Sequence, residues 1–301
     1  MRTRRRVVLG LASLAIPSCA LLSCRKSAPP PVGGGAWRDL AFEPTPEDPD
    51  PQRALLLAPE GAAELPVLVA LHGRGEAVRG VEVGARGWRD DYHLDAILRR
   101  LGAPPLQAAD LRDMVQPERL ASLNRSLERH PFRGLALATP FTPDLRDRTV
   151  EGARPFARFI VERLLARVRA ETQNPLRREA TGIDGVSLGG RLALLVGLSH
   201  PEVFGAVGAL QPAIRREEVD LFAGLAQQAI ARHPLSLRLV SSELDPFLPA
   251  VRALGDRLRQ GGIAHELLVT PGPHDYAWNR GVGGTEMVLW HERVQRGLPP
   301  P

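Results

Sequence analysis

The sequence predicts an α/β fold on a mostly parallel sheet, and three observations carry that prediction. Short runs rich in Val, Leu and Ala recur along the chain. Longer segments with apolar residues three and four apart alternate with them. The strongest runs are apolar throughout, as strands covered by helices on both faces must be. At 301 residues, 44% hydrophobic and 24% charged, the chain is long enough to bury a sizeable core.

Taken in order, "RALLLAP" (53–59) is an early strand and "LPVLVALHG" (65–73) a buried one stopped by glycine. "GLALATP" (134–140) is another buried strand. Residues 153–172 place Phe156, Phe159, Ile160, Leu164 and Val168 on one face of an amphipathic helix. "EATGIDG" (179–185) is a short strand, and "GGRLALLVGLSH" (189–200) a buried helix that stops before Pro201. Strands follow at 204–210, 235–242 and 264–270, with helices at 216–232, 247–260 and 285–296. Residues 74–133 break this rhythm, being long for a crossover between strands. Within them "LDAILRRLG" and "PERLASLNRSLERH" read as helical and "GRGEAVRGVEVGARGWRDDYH" does not, so the region is expected to be a lid-like, substrate-shaping insertion.

The N-terminus reads as an export signal. "MRTRRR" is a basic n-region and 7–22 an apolar stretch short of the about 20 residues a membrane span needs. The stretch ends in "LLSC", which resembles a bacterial lipobox. Residues 1–23 are thus expected to be a signal peptide, Cys24 the lipidated first mature residue and 24–36 a Pro- and Gly-rich tether. The domain proper is then 37–298, exported to the cell envelope and held to a membrane by its lipid. Cys19 and Cys24 are the only cysteines, so this domain has no disulfide. Arg2, Arg4, Arg5 and Arg6 carry most of the net charge of +5; the remainder is near neutral, which argues against nucleic acid as a partner.

"IDGVSLGG" (183–190) sets Ser187 between glycines, after a short strand and before a helix. G-x-S-x-G alone is a weak signal, but a sharp strand-to-helix turn lifts a serine above the sheet edge and aims the helix N-terminus at it. A serine hydroxyl needs a base held by an acid, and in such folds both follow the serine in the chain. Of the histidines after Ser187, His200, His233 and His265 sit at the wrong ends of their elements and His291 lies inside the last helix. His274, in "TPGPHDYAW", follows a strand end on a Gly/Pro loop, where active-site residues of open α/β sheets gather. Asp245 follows the strand end in "LRLVSSELDPF"; Glu243 competes with it for the acid. Oxyanion donors are expected from the backbone N–H groups of Gly73 and Arg74 in "LHGRG", and from that of Leu188. His72 is expected to orient that loop. Trp88 and Tyr92 either line a substrate pocket or pack the excursion. No His/Cys ligand set or cofactor motif stands out, so neither metal nor cofactor is expected.

"VALHGRG", "GVSLGGRLALLVGLSHPEVFGAV", "SSELDPF" and "GIAHELLVTPGPHDYAW" together resemble the α/β-hydrolase superfamily. More narrowly, they are similar to the esterase family that includes esterase D, enterochelin esterase, feruloyl esterase and mycolyltransferase. The resemblance spans about 53–295 and implies Ser187 as nucleophile, Asp245 as acid and His274 as base. Two departures stand out: the length of 74–133, and "ALQPAI" (209–214) where the family often shows a Ser-Gly pair. The reading is a serine esterase acting on a small-molecule or glycan-linked carboxylic ester through an acyl-enzyme. An acyltransferase of the same fold, or a non-catalytic binding lipoprotein on that scaffold, are the alternatives.

Overall fold

The computed structural model describes residues 35–46, 50–59 and 61–301. The predicted signal peptide, Cys24 and nearly all of the tether lie outside the described residues. Among the described residues no helix is long and apolar enough to cross a membrane.

Eight strands form one sheet in the order β1-β2-β4-β3-β5-β6-β7-β8. They are β1 Trp37–Phe42, β2 Gln52–Leu57, β3 Val67–Leu71, β4 Ala136–Pro140, β5 Thr181–Gly185, β6 Ala206–Leu210, β7 Ser236–Leu244 and β8 Glu266–Pro273. β1 and β2 run antiparallel at one edge, β2 is antiparallel to β4, and the rest of the sheet is parallel. Seven of the eight strands coincide with runs expected from the sequence. β1 was not expected: of "WRDLAF" only Leu40 is buried, so the strand carries almost no apolar pattern.

The two-residue period of β3 divides the core. Val67, Val69 and Leu71 face the layer of helices 150–172, Leu188–Ser199, Val219–Arg232 and Leu248–Gln260. Leu68 and Ala70 face the layer built from 88–132 and the last helix, Gly284–Gln295. The result is a three-layer α/β/α arrangement with the C-terminal ends of β3, β5, β7 and β8 at one rim.

The excursion corrects one expectation. "GRGEAVRGVEVGARGWRDDYH" contains three one-turn helices, Arg74–Ala77, Val81–Gly84 and Gly87–Asp90. A single turn is too short to show periodicity, so nothing in the sequence marked them. The region packs against the sheet. Leu94, Ile97, Leu98, Leu101, Leu123 and Leu127 are buried, making it one full layer of the sandwich. Its helix Pro117–Arg129 is pinned by Arg119, which donates to both carboxylate oxygens of buried Glu286 at 2.7 and 2.6 Å. Arg238 of β7 donates to the same carboxylate at 2.6 Å. Removing one member of such a buried ion set costs about 3–5 kcal/mol, because it strands the charges left behind.

Candidate active site

Ser187 sits between β5 and the helix Leu188–Ser199 with φ 57° and ψ −114°, a backbone state unusual for any residue but glycine. Such strain costs about 1–3 kcal/mol and persists only where the surroundings fix it. They do here. Val186 N–H donates to Leu71 C=O at 3.1 Å and Ser187 N–H to Leu210 C=O at 2.9 Å, so the turn is held by β3 on one side and β6 on the other. The glycines around it are required by contact. A Cβ on Gly185 would lie 2.6 Å from the Gly189 backbone, and one on Gly189 2.4 Å from the Leu71 carbonyl oxygen.

β7 and β8 bring the next two residues together. His274 Nδ1 lies 2.9 Å from Asp245 Oδ1, and the Asp245 side chain is fully buried. The same oxygen accepts the Phe247 N–H at 3.0 Å, and Oδ2 accepts the Ser241 hydroxyl at 2.6 Å. The carboxylate is thus fixed, and among the described residues His274 Nε2 has no hydrogen-bond partner. Glu243 is exposed and has no hydrogen bond to His274 among the described residues, so between the two candidate acids the structure brings Asp245 to the histidine. Asp275 instead caps the short helix Tyr276–Trp278 by accepting the Trp278 N–H at 2.9 Å. Gln211, in the departing "ALQPAI" stretch, donates to Ser242 Oγ at 2.6 Å and to the Pro273 carbonyl at 3.0 Å. It braces the loop immediately before His274, a role the sequence did not suggest.

The loop after β3 is clamped at two successive peptides. Gly73 N–H donates to the Tyr92 hydroxyl at 3.1 Å, so this donor is already taken. The expectation of Gly73 N–H as an oxyanion donor is therefore corrected; its acceptor comes from a side chain 19 residues away, which no local pattern reveals. Arg74 N–H and Leu188 N–H have no acceptor among the described residues. The Arg74 side chain is drawn aside to Asp144, 2.7 Å away. Trp88 is wholly buried and is not in the lining of the cavity at Ser187, so of its two expected roles the structure shows packing and not the pocket wall; it lies edge-on to Tyr92, with ring centroids 4.7 Å apart. Tyr92 does line the cavity, but its hydroxyl is committed to Gly73 and Glu76.

His72 fixes the second peptide. Its Nε2 accepts the Thr142 N–H at 2.8 Å, so its Nδ1 carries the proton and donates to the Gly73 carbonyl at 2.9 Å. Burial penalises the charged ring and lowers its pKa to about 4. In the unfolded chain a histidine titrates near pH 6.5, so above that pH both states are neutral and His72 adds no pH dependence. Below it the unfolded state takes up a proton that the folded state refuses. Stability should therefore fall as pH drops from 6.5 to about 4, by about 3 kcal/mol in all. His72→Gln cannot titrate. It should be less stable at pH 7, yet lose about 2 kcal/mol less than wild type between pH 7 and pH 5 in denaturant titrations. Equal losses in the two proteins would show that the ring is not held neutral.

Ser187, His274, Gly73, Arg74 and Tyr92 line one cavity of about 270 Å³, together with Glu76, Tyr276 and Asn279. Glu76 is completely buried, and its stretch of chain pointed to no role for it. Its region showed no helical period, and an acidic residue beside glycines and arginines reads as a solvated turn. The assembly holds a hydroxyl on a strained turn, an imidazole fixed through one nitrogen by a buried carboxylate, and backbone donors free on two sides. That is the equipment for attack on a carbonyl carbon.

Comparison with known proteins points the same way. The profile of the "Putative esterase" family matches residues 143–278, which contain Ser187, Asp245 and His274. The iron(III) salmochelin esterase of Escherichia coli O6:H1 is 31% identical over 153 residues. That match covers 45% of this chain, and the chain spans only 37% of the length of that relative. Among solved structures, a ferulic acid esterase superposes with a TM-score of 0.62 at 14% identity, covering 87% of this chain and 98% of the other. The S-formylglutathione hydrolase of Staphylococcus aureus gives 0.57 at 15% identity, covering 85% and 98%. The enterobactin esterase of Shigella flexneri gives 0.56 at 16%, covering 87% of this chain and 60% of its own. The fold of this chain is the α/β-hydrolase fold.

Proposed function

We propose, from the esterase match over residues 143–278, that this chain is a serine esterase that cleaves a carboxylic ester through an acyl-enzyme. Ser187 Oγ attacks the carbonyl carbon while His274 Nε2 takes the hydroxyl proton. Arg74 N–H and Leu188 N–H receive the oxyanion, and Asp245 holds the imidazolium that forms. The alcohol departs with the proton from His274. Water then repeats the sequence and releases the acid and free Ser187. The observation that carries this reading is the meeting, at one cavity, of a strained serine with a histidine held by a buried aspartate.

The test is direct. The domain from residue 36 onward is assayed on nitrophenyl acetate and butyrate and on methyl ferulate, and separately exposed to a fluorophosphonate. Turnover of at least one ester, with the label on the peptide carrying Ser187, is the expected result. No turnover and no label would overturn the reading. We also propose that Cys24 of the full-length chain carries a lipid, a reading supported by the "LLSC" stretch after an apolar run. Metabolic labelling with a radioactive fatty acid should mark the wild type and not Cys24→Ala.

A further inference from the structure

Glu76 is a buried carboxylate beside Ser187 that the proposed mechanism does not use. Its Oε2 accepts the Tyr92 hydroxyl at 2.5 Å, and its Oε1 accepts the Tyr276 hydroxyl at 2.6 Å. The two tyrosines come from different places. Tyr92 belongs to the excursion, and its oxygen in turn accepts the Gly73 N–H. Tyr276 stands two residues after His274, at the start of the short helix Tyr276–Trp278. Arg79, 3.6 Å from Oε1, offsets the carboxylate's charge.

The space for this cluster is cleared by glycines. A Cβ on Gly75 would lie 2.5 Å from the Tyr276 hydroxyl, and one on Gly87 2.5 Å from Glu76 Cγ. Burial raises the Tyr92 pKa well above the usual phenol value and that of Tyr276 to about 12. Both hydroxyls therefore stay protonated, as donors to Glu76, through the neutral range.

The Gly73 carbonyl and the Arg74 N–H belong to one trans peptide and point in opposite directions. His72 holds that carbonyl, and Tyr92 holds the N–H of the peptide before it. Together they set where the Arg74 N–H points. We propose that Glu76 is a positioning residue that ties this donor loop to the His274 loop through Tyr92 and Tyr276. This inference rests on the esterase reading. Glu76 acts through Tyr92 and Tyr276 and not on the reacting atoms themselves; it keeps the oxyanion donor and the base in register as charge develops on the substrate.

The experiment compares Glu76→Gln, Tyr92→Phe and Tyr276→Phe with wild type on nitrophenyl acetate, counting active sites with a fluorophosphonate. Each variant keeps its side-chain shape. The expected result is a fall in kcat of about 10- to 100-fold with KM within about twofold, since the donor matters most when the oxyanion forms. Adding Tyr276→Phe to Glu76→Gln should lower kcat little further, because both break the same tie. A merely structural role would lower thermal stability and the count of active sites while leaving kcat per site unchanged. That outcome overturns the inference while the esterase reading stands. If Glu76→Gln does not fold, the half-exposed Tyr276→Phe carries the same decision. A wild type that neither turns over esters nor takes the label overturns the esterase reading and this inference with it.

Discussion

Ser187→Ala is expected to lower kcat by at least about 10⁴-fold with no loss of thermal stability. Alanine fills the same space, and the hydrogen bonds that fix the turn all involve backbone atoms, so the strained conformation is held as before. His274 and the backbone donors remain, but on the proposed mechanism no atom is left to form the acyl bond. Asp245→Ala should cost about 10³- to 10⁴-fold, because His274 then loses the partner that orients its ring. Glu243→Ala should leave kcat within about twofold, as that side chain is exposed and away from the imidazole. The three variants are read by kcat per folded molecule on one nitrophenyl ester. A Ser187→Ala protein with undiminished turnover would remove the serine from the mechanism. A large loss at Glu243 with none at Asp245 would reverse the choice of acid.

The second large effect is structural and falls on a glycine. Gly189→Ala places a methyl group 2.4 Å from the Leu71 carbonyl oxygen and 2.5 Å from that of His72. Both are backbone atoms of the β3 end and its loop, and neither can step aside. Leu71 C=O is moreover the acceptor that holds Val186. The expected cost is above about 3 kcal/mol, the upper range for overpacking. Gly224, inside the helix Val219–Arg232, has nothing within 4 Å of a built Cβ. Gly224→Ala should stabilise by about 0.5–1 kcal/mol, since alanine restricts the unfolded chain and suits a helix. Chemical denaturation of both variants measures the contrast. A Gly189→Ala protein as stable as wild type would show that the turn has more room than these contacts allow.

What the sequence revealed and what it hid divide along a physical line. The parallel strands were legible because burial on both faces makes them continuously apolar; β1 was not, because an edge strand with one buried side chain leaves no such trace. The order of Ser187, Asp245 and His274 was legible because strand ends on an open sheet gather at one rim. The pairing of Asp245 with His274 needed three dimensions, as did the choice of Asp245 over Glu243, which stands two residues earlier inside β7. The clamps around Gly73 were hidden altogether. They depend on a tyrosine hydroxyl, an imidazole tautomer and a carboxylate, each unremarkable in its own stretch of chain. Trp88 stayed open between two roles for a related reason: an aromatic residue near a glycine-rich loop suits a pocket wall and a core equally well until burial decides.

The turn at Ser187 is fastened by Leu71 of β3 and Leu210 of β6, strands that lie more than 130 residues apart in the chain. The bond from Val186 to Leu71 joins residues 115 positions apart and does not exist until those segments have paired, and such non-local pairing is the slow part of forming a parallel sheet. The reactive geometry is therefore absent from nascent or half-assembled forms. The strained turn is a product of the finished sheet, so folding itself sets when Ser187 takes up this conformation.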